Sequence, residues 1–202
     1  MARFFTLTDV VARVESVPIP AQKVLRDLML EMLYREKRTV VGVAGVNTEV
    51  DALEKAGLVL RIDDPEIILR AVHASDHKLL YERLVAAGHT DRKKSWDHVA
   101  FCLEHPELLD VVARDACAVA LVPEFERVRK KVYIYLGRKF EDEQYFDPET
   151  ESCILYPKGA AFSTVVRLDG SSTLSVDFPD DEITALLDKY GCNRCRTWRK
   201  PE

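Results

Sequence analysis

Ala116-Cys117-Ala118-Val119-Ala120-Leu121-Val122, followed after a charged stretch by Val132-Tyr133-Ile134-Tyr135-Leu136, is the part of the chain on which the fold turns. The first run offers water no polar side chain. Coming after Leu108, Leu109, Val111 and Val112, it reads as a helix apolar all round, and such a helix belongs at the centre of a core. A strand stays open for 117–122, because periodicity cannot separate the two in so short a run. The second run is rich in β-branched and aromatic residues, which favour a pleated surface, and reads as a strand. The chain is therefore expected to change character at Lys131. Residues 1–131 form a mainly helical region, and 132–202 an antiparallel sheet plus a C-terminal helix. The fold class is α+β, with the helical N-terminal region packed against a small antiparallel β-sheet.

The pattern can be followed outward from there. Residues 6–16 read as a helix that stops at Val17-Pro18-Ile19-Pro20, since a residue before proline is pushed out of the α region. A longer amphipathic helix runs from Pro20 to about Arg35, with Val24, Leu25, Leu28 and Met32 on its stripe. Thr39–Val43 reads as a strand. Asn47 is expected to cap a helix that Gly57 ends. Leu58–Ile62 and Ile67–Val72 read as two strands joined by Asp63-Asp64-Pro65-Glu66. Helices follow over 76–87, over 95–104 and from Pro106. Beyond Lys131, the acidic stretch 137–151 reads as an exposed loop. Strands are expected at 153–156, 162–168 and 173–178, the last two joined through Asp169-Gly170-Ser171-Ser172. A last helix begins at the acidic triplet Asp180-Asp181-Glu182, buries Ile183, Leu186, Leu187 and Tyr190, and closes at Gly191.

Of the 202 residues, 47% are hydrophobic and 31% charged, with a formal net charge of -5, a globular composition that rules out wholesale disorder. Residues 1–131 hold 20 basic and 21 acidic side chains, and 132–202 hold 9 and 13, so neither part has the basic footprint of a dedicated nucleic-acid binder. The longest apolar run, Ala116–Val122, is too short to span a bilayer, and Met1 is not followed by an apolar leader. The expectation is a cytoplasmic protein without a membrane segment. Five cysteines, an odd number, fit reduced thiols better than a disulfide framework.

The stretch from Val46 to Pro65, with Leu53-Glu54-Lys55-Ala56-Gly57-Leu58-Val59 at its centre, resembles the second half of a winged-helix domain. The resemblance implies such a domain over 20–72, with a wing after the helix. The sequence departs from it upstream, where 39–45 is too short for the usual extra helix. Glu49, Asp51 and Glu54 outnumber Lys55 on the would-be recognition helix, so DNA binding through 47–56 is not expected. Gly42 and Gly45 lack the three-glycine or Gly-Lys-Ser/Thr spacing of a nucleotide-binding turn.

Cys192-x-x-Cys195 has zinc-knuckle spacing, and His73 and His77 stand four apart, as two imidazole ligands on a helix would. These four are the candidate metal ligands, though unremarkable thiols and core-edge histidines are the expected reading, with no cofactor. For catalysis, Cys153 with His98 or His105 would make a thiol–imidazole pair, and Glu149-x-Glu151 offers two carboxylates. No nucleophile, base and electrophilic stabiliser can be assembled from motifs, which leaves enzyme activity open. The remaining candidate is Glu141-Asp142-Glu143-Gln144-Tyr145-Phe146-Asp147, where two aromatic rings stand among four negative charges. Acidic surroundings steer a basic partner, while Tyr145 and Phe146 supply buried area. The function expected is that of an accessory or inhibitor-like protein that binds another protein. A zinc-knuckle or winged-helix nucleic-acid module and an enzyme are the alternatives.

Overall fold

The computed structural model describes residues 5–34, 39–76, 78–89, 95–140, 143–147, 152–156, 164–167 and 181–191. Among these residues it is an α+β arrangement of helices and two three-stranded antiparallel sheets. The chain divides into two compact units, one formed by Met1–Arg38 with Val122–Glu202 and the other by Thr39–Leu121. The expected division at residue 131 falls inside a helix, Arg129–Lys139.

In the first unit, α1 (Leu7–Ser16) opens on a reciprocal cap. Thr6 Oγ1 accepts from the Asp9 N–H at 3.2 Å, and the Thr6 N–H donates to Asp9 Oδ2 at 3.1 Å. Two orphan donors are thus satisfied before the first turn closes. Helix α1 buries Leu7, Val10, Val11 and Val14, and α2 (Ile19–Tyr34) buries Leu25, Leu28 and Met32 of its expected stripe together with Met29 beside it. The central helix of this unit is α9 (Arg129–Lys139), which packs against α1, α2 and α10 (Asp181–Lys189). Every residue from Val132 to Leu136 is buried. The expected strand at 132–136 is therefore a helix. A run buried on all sides carries no alternation, and the β preference of Val, Tyr and Ile, worth at most about 1 kcal/mol, yields to helix–helix packing. The short α8 (Pro123–Glu126) leads into α9. Strands β4 (Glu143–Asp147), β5 (Ser152–Tyr156) and β6 (Thr164–Arg167) form a sheet in that order. The acidic stretch read as a loop over 137–151 thus contains the end of α9 and all of β4. The strand and turn expected at 169–178 lie outside the described residues.

The second unit is built on strands β1 (Val40–Ala44), β2 (Val59–Ile62) and β3 (Ala116–Leu121), in the order β1-β3-β2. The apolar run 116–121, expected first as a helix, is the central strand, flanked on both sides. A central strand covered on both faces reads as a continuous apolar run. Register places Gly42 opposite Ala118, Ala44 opposite Ala116, and both Val40 and Leu60 opposite Ala120. One face of the sheet is thus made mostly of glycine and alanine, and α4 (Pro65–Ser75) lies close on it. A Cβ built on Gly42 would stand 2.6 Å from the Ile67 carbonyl oxygen and 2.7 Å from Ala71 Cβ.

Helix α4 corrects the expected strand at 67–72. Asp64 caps it, accepting from the Ile67 N–H at 3.1 Å, and Pro65 fills its first turn, which is a helix start rather than a hairpin turn. With 67–72 helical there is no two-stranded wing after β2, and 20–72 straddles both compact units. Helix α3 (Asn47–Lys55) begins with Val46 at the cap position, and Asn47 makes no capping bond. Its end is as expected. Gly57 takes φ 68°, and the Leu58 N–H reaches back to the Leu53 carbonyl at 3.0 Å. Helices α5 (Leu79–Ala86), α6 (Ser95–Glu104) and α7 (Leu109–Val112), with a 3-10 turn at Pro106–Leu108, complete the unit. Their core with α4 holds Leu69, Val72, Leu80, Leu84, Cys102 and Val112.

Candidate functional site

Strand β4 carries Glu143, Tyr145 and Phe146 of the proposed partner-binding set, while Glu141 and Asp142 lie outside the described residues. In register, Glu143 stands opposite Tyr156, Tyr145 opposite Ile154, and Phe146 opposite Cys153. Among the described residues β4 pairs with β5 alone and is an edge of its sheet. An edge strand keeps a row of backbone N–H and C=O groups on which another chain can pair.

The catalytic candidates fall in different compact units. Cys153 sits in β5, the central strand, paired with Phe146 on one side and Val166 on the other. It belongs to the first compact unit, and both candidate histidines belong to the second. His98 is buried on α6 and stacked on Tyr81, with ring centroids 5.2 Å apart. His105 follows α6, its ring 4.4 Å from that of Phe101 and its Nδ1 3.0 Å from Glu107 Oε1. The His89 ring lies 5.4 Å from that of Phe101. The Glu107 carboxyl is held below its ordinary value, first by its own backbone N–H and then by His105. Glu149 and Glu151 lie outside the described residues, as do Cys192, Cys195 and His77. His73 is on the last turn of α4. Among the described residues no group of three or more His, Cys, Asp or Glu side chains is placed to hold a metal ion.

Two thiols, Cys102 and Cys117, are buried. Burial pushes the Cys102 thiol up to about 11, and it raises Cys117 against the opposing pull of Arg61. Arg61, on β2, bonds Glu54 Oε2 at 3.0 Å and also pairs with Asp51. Two of the acidic groups on α3 are thereby tied to the sheet next to it.

Sequence reasoning missed a polar cluster in the first unit. Lys139 Nζ donates to Glu15 and, at 2.7 Å, to Gln22 Oε1, while the Tyr135 hydroxyl donates to Glu15 Oε1 at 2.9 Å. Gln22 Nε2 in turn donates to the Val17 carbonyl at 2.9 Å. The Lys139 and Glu15 side chains are only 10% and 15% exposed, so this pair is held largely away from water. The available signal was the spacing of Tyr135 and Lys139, four apart and on one face of a helix, which is invisible when 132–136 is read as a strand.

In comparisons with protein families, curated proteins and solved structures, nothing matches this chain. Among the described residues no helix is long and apolar enough to cross a membrane.

Proposed function

We propose that this chain is a protein-binding accessory or inhibitor-like protein, acting in the cytoplasm, that receives an extended basic segment of its partner along β4. The observation that carries this reading is the place of β4 at a sheet edge, joined to the composition around it. The tract 141–151 holds six acidic residues and no basic one, so the edge is set in a field that attracts cations. In strand addition, main-chain bonds supply affinity and alternate side chains supply specificity. Tyr145 and Phe146 are the residue types that most often anchor such contacts or pack beside them.

The test begins with cross-linked capture of the partner, followed by reconstitution from the two purified proteins. Binding should weaken as salt rises, because exposed charges more than about 10 Å apart are screened at 0.1 M. Consecutive strand positions belong to opposite faces, so Tyr145→Ala and Phe146→Ala are made separately. One of the two should weaken binding by at least about 2 kcal/mol, some 30-fold in Kd, with the circular-dichroism melt unchanged. Salt-independent binding that neither substitution touches would remove the proposal.

A further inference from the structure

We draw no further inference here: the strongest candidate, the buried side-chain cluster of Glu15, Gln22, Tyr135 and Lys139 where α1, α2 and α9 meet, turns its polar contacts inward on one another, and nothing in the structure points to a ligand there.

Discussion

Lys139 and Glu15 test what burial does to a charge. Each is mostly withdrawn from water, beside a partner that also bonds a neutral side chain. Removing one partner strands the other, which costs more than the intact pair contributes. Lys139→Met should destabilise the protein by about 3 kcal/mol, read as a lower urea midpoint at unchanged slope. Adding Glu15→Gln should recover part of that loss; a single variant within about 0.5 kcal/mol of the parent would show the pair to be incidental. Asp115 offers a second residue-scale test. Arg83 donates to its two carboxylate oxygens at 2.6 and 2.9 Å and holds its pKa below the ordinary carboxylate range. A carboxyl depressed in the folded state stabilises above its unfolded pKa, about 3.9, and loses that stabilisation as pH falls through the folded value. Asp115→Asn should therefore unfold more easily than the parent at pH 7, and the gap should close as the pH is taken below 4. A gap that widens on acidification would contradict the sign. The thiols add a kinetic test. At a pKa of about 11, Cys102 is thiolate to only about one part in ten thousand at pH 7. Alkylation followed by mass spectrometry should leave Cys102 and Cys117 unmodified in the native protein and label both in urea.

Close approach sets the geometry of β1 against α4. Gly42 is there for space rather than for backbone freedom, since an added methyl would run into the Ile67 carbonyl and Ala71. In an open strand Gly→Ala would stabilise by about 0.4–1 kcal/mol through the unfolded chain. Here overpacking outweighs that gain, and Gly42→Ala should lower stability by about 1–3 kcal/mol. Ala71→Gly in the same chain removes one of the two clashes, so the double variant should lose less than the two single losses added together. Additive urea midpoints would show that α4 does not rest on Gly42. The same elements show how far a sequence can be read. Helices α1, α2, α5, α6 and α10 and strands β1, β2, β5 and β6 were legible, because each carries an alternation, a helical stripe or a stop at Pro or Gly. Of the two all-apolar runs, 116–121 reads first as helix with a strand open for 117–122, and 132–136 reads as strand, the reverse of what each forms. Both are buried around their whole circumference or on both faces, and what distinguishes them is which elements surround them. The polar cluster at Lys139 was lost through that exchange. Strand β4 was hidden by its charges, which made it look like a loop, although its aromatic pair was singled out as a contact. Helix α4 was legible too, since Asp64-Pro65-Glu66 combines a cap, a proline and an acidic first turn, although the same residues also suit a turn.

The order of the compact units along the chain gives the molecule an inserted design. Thr39–Leu121 is continuous in sequence, and the other unit resumes at Val122 after leaving off at Arg38. The insertion begins and ends on paired strands, with Val40 opposite Ala120 in register. Opposed antiparallel residues lie about 4.5–5.5 Å apart, so the segment enters and leaves through neighbouring positions. It also has its own sheet and its own apolar core around Leu69, Leu84 and Cys102. A segment whose two ends lie side by side is of the kind that tolerates removal or transfer. Expressed alone, residues 39–121 should unfold in one cooperative transition in urea. The complementary chain, in which a short Gly-Ser linker replaces 39–121, should keep a helical circular-dichroism spectrum from α1, α2, α9 and α10. Because β4 lies in that complementary chain, the shortened protein should bind a reconstituted partner within about threefold of the full-length Kd, a difference under 1 kcal/mol. If both pieces fold but binding is lost, the partner contacts Thr39–Leu121, and the β4 proposal fails. If neither piece folds cooperatively, the two units stabilise each other, and the insertion is a feature of the chain path alone.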